Sequence, residues 1–366
     1  MVALGDVLRR STEPAVCAPD AEYDEVTIRL WGKGVISRGK VRGADVTTPR
    51  RVVRANQLIL SKIDARNGAI GLVPQELDGA IVSNDFPSFE FAYRRQLDPA
   101  FMGWMVRSRH FVDLCKAASE GTTNRVRIKE DRFLAQEIAL PPLAEQQAIV
   151  SRLDTLAEKV RQVNERLDAI ERDADRLLAV RFRDAIADAP MRPMAEAASS
   201  VRRSVTIDID KRYREVGARS FGKGLFVKPD FDGADATWQK PVWIKSGDVV
   251  LSNIKAWEGA IAVAGPEHDG CIASHRYITC VPDPNMLTAG FLSYFLLSSD
   301  GLEQIGFASP GTADRNRTLS LTNLGKIEVP VPSIATQRTF DTLQTKVAEL
   351  KARHATIRQA NDALIP

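Results

Sequence analysis

From Leu143 to Ile186 the chain carries neither proline nor glycine, and its apolar positions keep one beat. Ile149, Leu153, Leu156, Val160, Val163, Leu167, Ile170, Ala174 and Leu177 are separated by alternating steps of four and three. A repeat of this kind marks the seam of a coiled-coil helix. Near the C-terminus Phe340, Leu343, Val347, Leu350, His354, Ile357, Asn361 and Leu364 keep the same beat. Either stripe left in water would expose a long apolar face, so the two seams are expected to pack on each other. The simplest arrangement is an antiparallel pair within the chain; the alternative is a parallel coil with a second chain. His354 and Asn361, at seam positions, would help set register at some cost in stability.

Elsewhere the apolar runs are short. Val52-Val53, Leu58-Ile59-Leu60 and Ala80-Ile81-Val82 read as strands between Gly, Asn, Asp and Pro turns. One helical stretch from about Pro99 to Ala118 carries Phe101, Met105, Phe111, Val112 and Cys115. The plan then returns. Val249-Val250-Leu251, Ala260-Ile261-Ala262-Val263 and Tyr277-Ile278 are strand-like, and a helix from about Met286 to Ile305 carries Phe291, Phe295 and Leu296.

In places the return is literal. Gly32-Lys33-Gly34 recurs as Gly222-Lys223-Gly224, Gly43-Ala44-Asp45 as Gly233-Ala234-Asp235, and Gly68-Ala69-Ile70 as Gly259-Ala260-Ile261. Leu60-Ser61-Lys62-Ile63 recurs as Leu251-Ser252-Asn253-Ile254, and Ser119-Glu120-Gly121-Thr122 as Ser309-Pro310-Gly311-Thr312. Each half closes on prolines and a glutamine: Pro141-Pro142 with Gln147, and Pro330-Val331-Pro332 with Gln337. A period this long is two copies of a domain plus helix, not a solenoid. The expected fold class is α+β, with two similar mixed α/β domains and a long antiparallel two-helix coiled coil. The domains are expected at 1–142 and 190–332, with helices at 143–189 and 333–366. Two similar but diverged halves suit a partner that offers two similar but different sites.

Composition narrows this little. At 366 residues two or three domains are expected, and 44% hydrophobic with 27% charged residues is ordinary for a globular protein. A net charge of +3 says little about a polyanion partner, but basic residues gather in loops: Arg50, Arg51 and Arg54; Arg125, Arg127 and Lys129; Arg202 and Arg203; Arg315 and Arg317. Cys17, Cys115, Cys271 and Cys280 lack CxxC spacing, which argues against a zinc ribbon or a disulfide framework. The histidines, including His110 and His275, form no metal-ligand spacing. With no membrane-length apolar run and no signal peptide, a reduced cytoplasmic protein is expected.

The segment Ile138-Ala139-Leu140-Pro141-Pro142-Leu143-Ala144-Glu145-Gln146-Gln147 follows Ser119-Glu120-Gly121-Thr122-Thr123 and Lys129-Glu130-Asp131-Arg132-Phe133. That order resembles the end of a target recognition domain in the DNA specificity (S) subunit of Type I restriction–modification systems. The resemblance covers nearly the whole chain. The second copy departs from it, because Val331-Pro332-Ser333-Ile334-Ala335-Thr336-Gln337 lacks the acidic residue. Physically the prolines end a strand and Leu143 begins a helix, so the motif is a hinge.

The resemblance implies a chain without enzymatic activity whose two domains each bind one half of a bipartite, asymmetric double-stranded DNA target. It implies that the helices dock two modification (methyltransferase) subunits. S-adenosylmethionine would then be bound by those subunits, and ATP and Mg by restriction (motor–nuclease) subunits. A helix of ~40 residues at ~1.5 Å per residue spans ~60 Å, against ~34 Å for one duplex turn. A coil of that length would act as a ruler between two half-sites.

The absence of catalytic motifs fits a binding protein. There is no Asn/Asp-Pro-Pro-aromatic loop of an amino-methyltransferase, since Pro282-Asp283-Pro284-Asn285 has the wrong order, and no GxxxxGK[ST] cradle for a motor. Pro229-Asp230 with Asp235 and Lys240 has the residue types of a nuclease metal site, but Gly233 and Pro241 suit a turn. An adaptor that scaffolds proteins through its coil, without DNA, is the alternative reading.

Phosphate binding calls for cations, and base readout for Arg, Lys, Asn, Gln, Ser or Thr at a groove edge. Under the resemblance the candidates in the first copy are Arg29, Lys33, Lys62, Arg66, Asn84, Thr123, Asn124 and Arg125. Those in the second are Arg219, Ser220, Lys223, Asn253, Lys255, His275, Arg276, Arg315, Asn316 and Arg317. Gly32 to Gly34 and Gly222 to Gly224 either let backbone approach a duplex or serve hairpin turns. Trp257 reads as a packing residue. Lys62 becomes Asn253, Asn84 becomes His275 and Asp85 becomes Arg276, so side chains differ where glycines persist.

Overall fold

The computed structural model describes residues 1–92, 96–121, 126–236, 240–311 and 317–364. They form two compact units, one of Met1–Arg166 with Thr356–Pro366 and one of Leu167–Ala355.

In the first unit, strands Leu8–Arg10, Ser88–Phe91, Leu58–Leu60 and Ile70–Leu72 lie side by side in that order, all antiparallel. Leu8, Leu58, Leu60, Ile70 and Phe89 bury one core with Phe111 and Phe133. A second sheet orders Val35–Arg42, Glu22–Ile28, Ile81–Val82 and Arg51–Val52, with one parallel contact at Glu25 and Ile81. Val2–Ala3 pairs with Glu137–Ile138, which ties the start of the chain to the strand that closes the domain.

The second unit repeats the first sheet with Ala198–Val201, Tyr277–Pro282, Val249–Ser252 and Ile261–Val263. Its outer layer is cut into two-stranded pairs: Arg212–Tyr213 with Phe231–Asp232, Val216–Ala218 with Leu225–Val227, and Val242–Trp243 with Ile272–Ala273.

The helical stretch expected at 99–118 is two helices, Pro99–Met105 and Arg109–Ala117, because Ser108 accepts from Phe111 N–H and starts a second helix. The stretch expected at 286–305 likewise divides into Ala289–Leu297 and Ser299–Ala308, with Ser298 accepting from Gly301 N–H. Apolar periodicity runs through both breaks; only the serines mark them.

The central helix runs Leu143–Ile186 and the C-terminal helix Ile334–Leu364. Within the second unit they pair antiparallel: Lys351 Nζ lies 2.6 Å from Asp175 Oδ1 and His354 Nδ1 lies 2.9 Å from Glu171 Oε1. His354 is buried, so it acts in packing and register, as its seam position suggested. Within the first unit Asn361 donates to Asn164 at 3.3 Å.

The heptad seam needs one correction. Val163, Ile170, Leu177, Ile357 and Leu364 are exposed, whereas Leu167, Leu178 and Phe182 are buried. A straight helix turns once in ~3.6 residues and drifts ~20° per heptad away from a strict seven-residue stripe. The buried line therefore moves from Leu177 to Leu178 and on to Phe182, which joins the core of the second domain.

Cys115, Cys271 and Cys280 are buried and Cys17 is half-buried; all four are free thiols. Burial pushes the Cys115 and Cys280 thiols up to about 12. At pH 8 a thiol-specific reagent on the native chain is expected to modify Cys17 alone, and all four cysteines after denaturation. Mass spectrometry of the labelled peptides checks this; rapid native labelling of Cys115 or Cys280 contradicts it.

Candidate nucleic-acid interface

Each domain folds the same loop out of its central strand. After Leu58–Leu60 the chain makes a 3₁₀ turn at Ala65–Asn67, and after Val249–Ser252 one at Ala256–Glu258. Gly68 and Gly259 end these turns at φ +77, a left-handed conformation that suits glycine. The repeated Gly-Lys-Gly turn sits against this loop. Trp31 and Gly32 donate backbone bonds to Asn67 and Gly68 at 3.0 Å each; Phe221 and Gly222 donate to Glu258 and Gly259 at 2.8 and 2.9 Å. Gly34 and Gly224 take positive φ and accept from the N–H of Arg29 and Arg219. A Cβ at Gly34 or Gly224 would meet nothing within 4 Å. These two glycines are therefore required by hairpin geometry and not by protein packing.

The turns expose a feature that hydropathy did not flag. Trp31 and Phe221 are 69% and 75% exposed, at φ +60 and +63. A bulky residue rarely adopts this conformation, and the same strained aromatic stands in both copies. The alignment of Trp31 with Phe221 was the available signal.

The backbone at Lys62 and Asn253 is wired identically. Lys62 N–H donates to Asp85 O at 2.8 Å, and its carbonyl accepts from Ile128 N–H at 2.8 Å. Asn253 N–H donates to Arg276 O and its carbonyl accepts from Leu319 N–H, both at 2.7 Å. Three segments of each domain converge on this residue: the loop itself, the turn before the last sheet strand, and the segment preceding a short helix (Glu130–Leu134 or Leu321–Leu324).

The surroundings differ. In the first unit Lys62 lines a cleft of about 340 Å³ with Arg10, Arg127 and Glu130. Glu130 lies 2.8 Å from Lys62 Nζ and 2.8 Å from Arg10 Nε, and Arg127 bonds Asp85 at 2.8 Å. In the second unit Asn253 and His275 line a smaller cleft of about 100 Å³ with Ser200, Arg202, Tyr277 and Leu321.

The remaining candidates fall into two groups. Arg29, Lys33, Asn84, Arg219, Lys223, His275 and Arg276 are exposed, and Arg66 is half-buried. Arg219 lies over the Phe226 ring at 4.9 Å and Lys223 over Phe221 at 5.8 Å. Ser220, Lys255 and Arg317 are already engaged. Ser220 and Lys255 bond Glu258 at 3.0 and 2.5 Å, and Lys255 and Arg317 lie 5.1 and 4.8 Å from the Trp257 ring. The Lys255 bond holds the Glu258 carboxyl below the usual carboxylate range, against the opposing effect of burial. Trp257 donates to Ile254 O and packs against the core, which is the packing role expected. Thr123, Asn124, Arg125, Arg315 and Asn316 lie outside the described residues.

Several loop cations are committed to ion pairs distant in sequence. Arg50 bonds Glu25 at 3.0 Å, Arg54 bonds Glu13, and Arg203 grips Asp248 with two bonds of 2.6 and 3.0 Å. Their clustering therefore overstates the free positive charge. Among the described residues no group of three or more His, Cys, Asp or Glu could hold a metal ion, and no helix is long and apolar enough to cross a membrane.

Sequence reasoning also misplaced one residue. The position equivalent to Gln337 in the first copy is Gln146, not Gln147. Gln146 is fully buried; it donates to Gln96 O and Pro141 O at 2.7 and 2.8 Å and accepts from Asp98 N–H at 2.9 Å. Gln337, equally buried, donates to Met286 O and Pro332 O and accepts from Thr288 N–H, each at 2.8 Å. Gln147 is exposed.

This is a repeated domain-plus-helix fold with a variable polar loop face on a constant frame. Residues 40–172 match the family described as Type I restriction modification DNA specificity domain. The chain as a whole is similar in fold to the HsdS subunit from Thermoanaerobacter tengcongensis, at 21% identity and a TM-score of 0.60, over 99% of this chain and 94% of that one. It is also similar to a chain from a structure described as the basis of complex assembly and conformational transition of the type I R-M system. There the identity is 22%, the TM-score 0.72, and the coverage 99% and 94%. No curated protein matches the sequence. The resemblance carried by the Leu140–Gln147 segment thus extends to the fold.

Proposed function

We propose that the chain is a cytoplasmic, non-catalytic DNA-reading subunit, each domain contacting one half of a bipartite, asymmetric target. It directs two modification subunits, and restriction subunits where present, to that target. S-adenosylmethionine, ATP and Mg belong to those partners in this reading. The observation that carries it is the pair of loops with one backbone wiring and different side chains: Lys62, Asn84 and Asp85 against Asn253, His275 and Arg276. A constant frame with changed polar groups is what two readers of different sequences require. The exposed Ile170 and Leu177 of the central helix offer apolar surface of the kind a partner subunit covers.

Selection from a random duplex library by the chain assembled with its modification subunits tests the reading. A split, asymmetric motif is expected, with affinity falling steeply as salt rises through counterion release. Equal affinity for all duplexes, or partner binding insensitive to salt with no DNA requirement, contradicts it; the latter is the signature of a protein adaptor.

A further inference from the structure

The two clefts beside Lys62 and Asn253 occupy the same place in the two domains, yet their chemistry differs. The correspondence is set by hydrogen bonds. Lys62 and Asn253 share their backbone partners, and Lys129 and Ser320 donate to the matching carbonyls of Ala118 and Ala308 at 3.0 Å. In this frame Ser200 stands where the first copy has Arg10, and Leu321 where it has Glu130.

Lys62 carries donors only. Its side chain is 23% exposed and Glu130, at 13%, holds it at 2.8 Å. The ion pair occupies one side of the ammonium group, which leaves donors for a ligand in the cleft. Glu130 also draws in Arg10, so the floor of this cleft is an ion cluster with excess donors. A group with acceptors alone suits it. In the major groove that edge is guanine, with O6 and N7 both acceptors.

The cleft of Asn253 is lined by no carboxylate among the described residues, and its cation, Arg202, donates to Lys240 O at 3.3 Å. The Asn253 side chain makes no hydrogen bond among the described residues, and neither does that of His275 beside it. An amide presents one acceptor and two donors in a plane, which matches N6–H and N7 of adenine.

We propose that Lys62 and Asn253 are the corresponding specificity-determining residues of the two copies, Lys62 reading a guanine edge in one half-site and Asn253 an adenine edge in the other. Glu130 is the positioning residue for Lys62. The assignment rests on the DNA-reading function proposed above and adds which position reads and what it reads.

The test is binding-site selection with the full chain in its complex with modification subunits, folding of each variant being checked by circular dichroism. Lys62→Asn is expected to change one guanine to adenine in one half-site and leave the other half unchanged. Asn253→Lys is expected to change one adenine to guanine in the opposite half only. Lys62→Ala is expected to lose roughly 5- to 150-fold in discrimination at that base pair. Glu130→Gln, which frees the lysine, is expected to weaken the same guanine preference without moving other positions. A wild-type complex that selects a split motif, with both motifs unchanged in Lys62→Asn and Asn253→Lys, overturns the assignment and leaves the DNA-reading function standing. So does a Lys62→Ala complex that binds all sequences equally less well, with a salt slope smaller by about one, since that marks a phosphate contact. A wild type that selects no motif removes the DNA-reading function itself.

Discussion

Gln146→Ala is expected to destabilise the first unit by about 3 kcal/mol, and Gln337→Ala the second by a similar amount. Each glutamine is fully buried where the domain hands over to its long helix, and each uses both amide N–H groups and its carbonyl. Truncating Gln146 strands the carbonyls of Gln96 and Pro141 and the N–H of Asp98 in a site closed to water. An unmet buried polar group costs about 1–3 kcal/mol, and partial entry of solvent keeps the total near the lower end of the sum. Gln146→Glu is expected to be worse than alanine at pH 7, because a carboxylate would face two carbonyl oxygens. Gln147→Ala, at an exposed neighbouring position, should change stability by less than about 0.5 kcal/mol. Urea unfolding of the four proteins checks the order. Hydrogen exchange adds a local readout, since the amides of Asp98 and Thr288 should lose protection in Gln146→Ala and Gln337→Ala respectively. Equal stability of Gln146→Ala and Gln147→Ala would refute the assignment of the buried plug.

Phe182→Ala is the second large effect, a loss of about 3–5 kcal/mol in the second unit. Its ring centroid lies 5.0 Å from Phe291, 4.8 Å from Tyr294 and 5.4 Å from Phe340. It thus joins the central helix to a domain helix and to the C-terminal helix in one aromatic cluster. Alanine there leaves a void the size of a phenyl ring, which the stiff rings around it cannot close. Phe182→Leu should retain most of the buried area and lose less than half as much. The check is the unfolding midpoint with near-ultraviolet circular dichroism, whose aromatic signal should fall in Phe182→Ala. A loss below 1 kcal/mol would mean that the cluster adds little to stability.

The sequence was most readable where its signal is local and repeated. The helices at Leu143 and Ile334 followed from the absence of Pro and Gly and from stripe spacing, and the two-copy plan followed from matching Gly turns. The buried line within the central helix was not readable, because a heptad count cannot register a drift that moves burial from Leu177 to Leu178. Nor was the true glutamine. Gln146 and Gln147 are adjacent in sequence but point to different sides of the first helical turn, and only the domain beneath decides which is inside. The candidate residues were legible as residue types at aligned positions. Their engagement was not. Arg203 and Asp248 are 45 residues apart in sequence, so no local pattern links them. Lys255, Ser220 and Arg317 looked as free as Lys223 until the fold gathered the first three around Glu258 and Trp257.

The side chains of the buried glutamines hydrogen-bond only to main-chain atoms of their domains. A joint that grips the backbone is indifferent to the identity of the side chains around it. Mutations that alter the polar loops therefore leave the seat of the domain on its helix undisturbed, and the seat need not be reinvented each time the loops change. This separates two kinds of position: Gln146 and Gln337, where substitution threatens folding, and loop positions such as Lys62 and Asn253, where different side chains stand on one backbone frame. Such a division lets the polar face be rewritten while the chassis stays unchanged.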